Sequence, residues 1–513
     1  MFSNIFAGIL LALGTLFLGF FVDRGVFWEV LGGFILAFTG YLWLVRCQFT
    51  SPSNPSFFQS FNPAILPSAL TNISDQRSST LGSLLSFLLV VGLALRLFLL
   101  FAFPLLSDDI YRFLWDGYLL NAGISPFSEL PAHYLEAGNG VPGLSQQLFE
   151  KLNSPEYYTI YPPVAQGVFT FATALAGENW WLGGVLMKLF LFAGECGTIW
   201  LLLRMLPAWG LPKSSALLYW LNPLILVEIC GNLHFEGLMV FFLLLALWLL
   251  SRRKIVYGAL AFALSVAAKL LPLMLLPFLI VRLWRGKYGR DFWLFSLVFG
   301  LSLLVMFLPL IDLEFIRNFG SSLDLYFRKF EFNASLYYLL RTYGYYEIGW
   351  NQIARFGPLL GKVAGALILL LAAAEGYLWL QSSKAQSDRE HEASGLEPNH
   401  SKVPGLRDGS TEPLPASYLN LPFWWMLAFS IYLFCATTVH PWYLSIPILL
   451  SCFTHLRYPI VWSFLIVLTY ASYTTVPYQE NLWLVGVEYL VVYTLLAVEL
   501  WRIKSPAKAL RSC

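Results

Sequence analysis

Charge is what this sequence has least of. Of its 513 residues 12% are Asp, Glu, Lys or Arg, and the formal net charge is +2. Soluble domains run near a quarter charged, so a soluble globular protein is excluded. So small a net charge also offers no field for a polyanion, which excludes a nucleic-acid partner. Cysteine is scarce too: Cys47, Cys196, Cys230, Cys435, Cys452 and Cys513 have no paired spacing and lie mostly in apolar runs. They read as packing residues, not as a disulfide framework or a metal site. A Gly-rich nucleotide loop, a zincin helix, a paired-Cys zinc pattern and a G-x-S-x-G elbow are all missing. No fixed-period repeat or mirrored halves are visible, which counts against an inverted-repeat transporter.

What is present is apolar surface: 58% of residues are hydrophobic and 17% aromatic. A helix needs about 20 apolar residues to cross a hydrocarbon core of roughly 30 Å. Runs of that kind fall at about 4–21, 26–45, 81–105, 182–204, 215–231, 238–251, 292–311, 356–380, 421–437, 442–455, 459–475 and 483–501. An all-α polytopic membrane protein is therefore expected. The opening run lacks a basic n-region and a cleavage site, and reads as a first span rather than a signal peptide.

Lys and Arg set the orientation. If the chain starts inside, the groups at 252–254, 282–290, 384–407 and 502–511, with Arg46, Arg77, Arg204, Lys213 and Arg457, place 20 of the 32 basic residues on one side, the cytoplasm. This parity requires 255–281 to be two short helices broken at Lys269-Leu-Leu-Pro272, with the lysine at the outward tip. It also requires Tyr161–Gly177 to lie along the outer surface. Two hydrophilic excursions, 106–180 and 312–354, then face outside. The first holds seven carboxylates between Ser107 and Tyr158 against two bases, Arg112 and Lys151. The organisation expected is two N-terminal helices with a cytoplasmic connector at 1–80, a larger transmembrane module at 81–380, a disordered cytoplasmic linker at 381–418 rich in Ser, Pro and Gly, and a C-terminal helical module at 419–513.

Two readings of Ser107-Asp-Asp-Ile-Tyr-Arg-Phe-Leu-Trp-Asp-Gly117 stay open. In the first, Ser107 caps a helix, two aspartates suit its positive end, and Asp108, Arg112 and Asp116 form a four-residue ladder. In the second, Asp108 or Asp109 is a general base on an acceptor hydroxyl at the membrane surface, while its neighbour orients an acceptor group, a metal or an arginine. Other polar residues gather at the external ends of spans: Asn232, His234 and Glu236; Lys269; His440 and Tyr443. A lone histidine near a helix end is commonly structural, but ionisable residues at membrane depth mark sites or pathways. Lys269 could neutralise a phosphate as a point charge, and Arg328, Lys329 or Arg341 could clamp one more directionally, unless those three are solvated loop charges.

These residues resemble a family. Residues 107–117 followed by Asn121-Ala-Gly-Ile-Ser-Pro-Phe127 look like the first external loop of bacterial GT-C glycosyltransferases, in particular the polyprenol-phosphate-mannose-dependent mannosyltransferases. Tyr161-Pro-Pro-Val-Ala-Gln166, Asn222-Pro223, Gly231-Asn-Leu-His-Phe-Glu236, Ala268-Lys-Leu-Leu-Pro272, Phe332-Asn-Ala-Ser-Leu336 and His440-Pro-Trp-Tyr443 follow in the family's order. The resemblance covers about residues 81–455. It implies a GT-C-like bundle of about 13–14 spans with juxtamembrane helices in the first external loop, in a bacterial plasma membrane with the active site facing the periplasm or cell exterior. It further implies an inverting enzyme that moves a hexose, mannose by this likeness, from a polyprenyl-phosphate donor to a glycan or lipid acceptor.

Asp109, ahead of Asp108, would be the base. Arg112, Tyr161, Asn232, His234, Glu236, Lys269, Arg341, His440 and Tyr443 would bind substrate. No cofactor is demanded, and a divalent metal is left open. Two other classes compete: a transporter or flippase for a lipid-linked saccharide, and an assembly subunit of an envelope complex in which the Asp pair only starts a helix. The concentration of acid in one external loop favours the enzyme. Asn333-Ala-Ser335 also fits a glycosylation sequon.

Overall fold

A computed structural model of the chain describes residues 2–49, 74–136, 138–284, 289–394, 418–475 and 478–503. Among these residues the fold is all helical, with one isolated bridge between Phe332 and Thr438. Seven helices are long and apolar enough to cross a membrane, a bent pair makes up to eight, and six further apolar helices are shorter. The all-α polytopic class stands. Polar breaks and prolines cut the central runs into short pieces, so fewer of the 13–14 expected spans are full length.

Helices α1 (Phe2–Phe20) and α2 (Phe27–Phe49) form a tight hairpin. A Cβ on Gly40 would come within 2.3 Å of the Ala7 carbonyl oxygen, so only glycine allows this approach. The hairpin's turn lies on the side where α3 (Ser74–Leu99) ends and the first loop begins, since Arg24 reaches Asp108. That loop folds into α4 (Asp109–Asn121), a 3-10 turn, α5 (Gln146–Phe149) and α6 (Pro163–Ala176). The last has 14 residues, fewer than the roughly 20 a full span needs.

The next span, α7 (Trp180–Ala208), is followed by a run that bends by 52° between residues 220 and 223. Two short helices flank the bend, α8 (Leu217–Trp220) and α9 (Pro223–Ile225). The 215–231 span is thus a broken one, because Pro223 cannot continue the hydrogen-bond ladder and Asn222 caps the new segment. Its last turn, Leu226–Gly231, is π-helical. Then come α10 (Glu236–Ser251), α11 (Ile255–Ala268) and α12 (Leu276–Trp284), the last two separated by the expected break at Lys269. α13 (Arg290–Phe307) turns Trp293, Leu297, Leu301 and Leu304 outward, a lipid-facing stripe.

The second excursion is mostly helical: α14 (Leu313–Arg328) and α15 (Leu336–Ile348). Phe315 and Phe319 of α14 pack on Phe127, and Asn318 donates to the Phe127 carbonyl at 2.7 Å, so the two external excursions dock on each other. α16 runs Ile353–Ser394. Residues 381–394 are therefore helical rather than linker, as their Ala, Gln, Lys, Glu and Arg content favours. The rest of the expected linker up to 417, and the connector at 50–73, lie outside the described residues.

The C-terminal helices α17 (Leu421–Cys435), α18 (Ser445–Ser451), α19 (Tyr458–Leu465) and α20 (Leu482–Arg502) are not a separate module. They share one buried core with the front of the chain. Asn222 donates to Ser463 at 3.0 Å, and the Tyr470 hydroxyl donates to Glu228 at 2.5 Å, so each side completes the other's buried polar groups.

Candidate active site

The chain leaves α3, and the Leu106 N–H donates to the Asn232 side chain at 3.1 Å. This sets where α4 starts. Asp109 opens the helix after Asp108 as its N-cap, so Ser107 is not the cap expected and instead accepts the Asp109 N–H at 3.3 Å from one residue further back. The Asp109 carboxylate receives Asn153 Nδ2 at 2.8 Å and the Tyr161 hydroxyl at 3.2 Å, and lies 3.9 Å from His234 Nδ1. Its side chain keeps 18% exposure and that of Asp108 39%. Asp108 points elsewhere: its Oδ2 pairs with Arg24 at 2.6 Å instead of joining an α4 ladder.

Further along α4 the motif is structural. Arg112 pairs with Asp116 at 2.8 Å and donates to the carbonyls of Ser154 and Tyr157, and Asp116 also receives Gln166 Nε2 at 2.9 Å. Arg112, expected to bind substrate, is thus buried and spent on holding α4 to its loop. Gly117 serves the same packing, because a Cβ there would lie 2.7 Å from the Phe169 carbonyl oxygen of α6.

Leu233 sits between the two polar residues of the next motif with φ at +67°, a conformation costly for a branched side chain. That twist brings Asn232 and His234 inward from the break between the π-helical turn and α10. His234 Nε2 lies 3.2 Å from Glu228, which also holds Tyr470 and Asn232. The His234 ring stacks on Trp442 at 3.6 Å between centroids, and Trp442 stacks on His440 at 4.5 Å, making a three-ring column. Burial pushes the His234 imidazole down to about 4 and that of His440 to about 3, so both are neutral rings at ordinary pH. His440 Nδ1 is buried with no hydrogen-bond partner among the described residues.

Lys269, at its break, meets Glu236 at 2.5 Å and sits 5.4 Å over the Tyr443 ring. Together with Tyr161 and Tyr443 it lines a cavity of about 350 Å³ whose other walls are apolar, including Leu270, Met274, Ala364 and Ile368. Asp109, Tyr161, Asn232, His234, Glu236, Lys269, His440 and Tyr443 therefore come together from five separate stretches of sequence.

Arg341 does not join them: Glu331 holds it at 2.7 Å and Tyr338 stacks on it. Arg328 pairs with Asp324 on the surface, and Lys329 lies 5.9 Å over the Tyr157 ring. Asn333 is no glycan acceptor in the folded chain, because it is fully buried and its amide donates to Glu488 at 3.0 Å. Four neighbours were not anticipated: Arg24, Asn153, Glu228 and Tyr470. Glu228 had a signal, as a carboxylate inside an apolar run. Among the described residues no three of His, Cys, Asp or Glu come together as a metal-ligating group.

Residues 82–285 match a family model described as alpha-(1->6)-mannopyranosyltransferase, N-terminal domain. The chain is similar to alpha-(1->6)-mannopyranosyltransferase A of Corynebacterium glutamicum, 29% identical over 193 residues, which is 37% of this chain and 37% of the relative. It is 28% identical over 216 residues to alpha-(1->6)-mannopyranosyltransferase A of Mycobacterium tuberculosis, 40% of each chain. A third likeness, 27% over 145 residues, is to alpha-(1->6)-mannopyranosyltransferase Rv1459c of the same organism, covering 28% of this chain and 23% of the relative. The matched segment is thus at most about two fifths of the length of these relatives. No solved structure matches.

Proposed function

We propose that this GT-C mannosyltransferase-like membrane protein is a glycosyltransferase that moves mannose from a polyprenyl-phosphate donor to a saccharide or lipid acceptor on the outer face of the membrane. The observation that carries the reading is the Asp109 carboxylate. It is bonded to Tyr161 in the wall of an apolar cavity whose polar end is Lys269 and Tyr443. A prenyl chain suits the apolar walls. The phosphate suits the lysine, which would divide its charge between the ligand and Glu236. The likeness to alpha-(1->6)-mannopyranosyltransferases supports mannose.

The step conserves atoms and electrons. The oxygen of an acceptor hydroxyl forms a bond to C1 of the sugar, and its proton passes to the Asp109 carboxylate. The bond from C1 to the phosphate oxygen breaks, and its electron pair leaves with the polyprenyl phosphate. A phosphate leaving group is already a stable anion, so positive charge and donors serve it better than a general acid. Attack from the face away from the phosphate inverts C1. The outer-face orientation rests on the distribution of Lys and Arg among the loops.

Purified protein in proteoliposomes, given polyprenyl-phosphate mannose and an α-mannoside, should release polyprenyl phosphate and form a mannosylated product of inverted configuration. Movement of the lipid-linked sugar across the bilayer without such a product would refute the reading and favour a flippase.

A further inference from the structure

The two carboxylates of the Asp pair bond to residues that line two different cavities. Asp109 joins the apolar one through Tyr161. Asp108 joins another, of about 410 Å³, through Arg24. That second cavity is lined by Val22, Asp23, Arg24, Gly25, Leu105 and Tyr473. Its walls come from the α1–α2 turn, the start of the first loop and the 3-10 helix Ile466–Thr474. Residues 22–25 and Tyr473 lie outside the segment that matches the family model.

The chemistry of this lining differs from that of the first cavity. Arg24 stacks 4.6 Å from the centre of the Tyr473 ring and keeps 24% of its side chain exposed. Among the described residues Asp108 is its one hydrogen-bond acceptor, which leaves guanidinium N–H groups to offer. Two carboxylates, Asp23 and Asp108, stand against that single positive charge, so the cavity does not favour a phosphate. A neutral polyol fits better. Vicinal hydroxyls can accept from the guanidinium fork and donate to a carboxylate.

From this arrangement we infer that the cavity under the α1–α2 turn is the acceptor subsite, that it takes an uncharged mannoside, and that Arg24 is its specificity-determining residue. The inference rests on the transferase reading. With acceptor and donor in separate cavities, one tied to Asp108 through Arg24 and the other to Asp109 through Tyr161, a hydroxyl held by Arg24 and Asp108 is delivered next to the neighbouring carboxylate. Arg24 also orients Asp108, so the N-terminal hairpin acts in the reaction through substrate choice.

Two measurements on the full chain in nanodiscs test this. Saturation-transfer NMR with an α-1,6-linked mannose disaccharide, without donor, should show binding to wild type that Arg24→Gln removes and Arg24→Lys partly keeps. In the transfer assay Arg24→Gln should raise the acceptor KM roughly ten- to hundredfold, the loss of one charge-assisted contact, with the donor KM and thermal midpoint held. Arg24-dependent disaccharide binding without any transfer would keep the subsite and remove the transferase reading. An unchanged acceptor KM in Arg24→Gln, or an equal rise in the donor KM, would overturn the subsite and leave the transferase reading standing.

Discussion

The first and second turns of α4 carry similar charges to opposite ends. Asp108 and Asp109 are partly exposed, and their partners Arg24, Asn153 and Tyr161 come from distant segments. Arg112 and Asp116, one turn on, are closed off: Arg112 is 4% exposed and Asp116 fully buried, and their partners are each other, two backbone carbonyls and Gln166. A charge whose bonds are all used up inside the fold holds structure. One left partly exposed is available for chemistry. The same distinction separates Lys269, which lines the apolar cavity, from Arg341, held between Glu331 and Tyr338.

Substitutions can break that comparison. Asp109→Asn should lower kcat about a thousandfold, within the range that a general base supplies, and leave the thermal midpoint in place. Arg112→Met should do the reverse. It strands the Asp116 charge in a buried site, costing about 3–5 kcal/mol of stability measured by thermal or denaturant unfolding in detergent, while correctly folded molecules keep their turnover. Ala364→Trp, which fills the apolar cavity from α16, should raise the donor KM about tenfold and spare the acceptor KM; an unchanged donor KM would move the lipid elsewhere.

The smallest effect concerns Glu480, in the external turn before α20. Burial raises its carboxyl to about 7, against the pull of the Asn333 N–H it accepts. The folded chain then holds this proton more tightly than the unfolded chain does. Its contribution to stability is present below the usual carboxylate range and is lost as pH rises from about 4.5 to about 7. Glu480→Gln should therefore gain thermal midpoint over wild type progressively across that window, and a gap independent of pH would contradict the assignment.

Much of this was legible in the sequence. Run lengths located the long apolar helices and the polar interruption located the break at Lys269, because bilayer thickness and helix-breaking residues act on local composition, whereas several central and C-terminal runs fold as helices shorter than a full span. The Asp pair and the motifs at 231–236 and 440–443 were legible as polar residues at helix ends. What could not be read was pairing across the fold. Nothing near Arg24 in sequence says that it meets Asp108, 84 residues on, and the column His234–Trp442–His440 exists only once α18 packs on α10. The same limit applied to Arg112, since a four-residue spacing to either side is equally good on a helix and only burial chose Asp116 over Asp108.

The most direct measurement runs turnover and thermal midpoint side by side, in proteoliposomes with polyprenyl-phosphate mannose and an α-mannoside, on wild type, Asp109→Asn and Arg112→Met. The account predicts a crossing: the first variant stable and nearly inactive, the second destabilised and, where folded, active. Full turnover by a stable Asp109→Asn protein would contradict it.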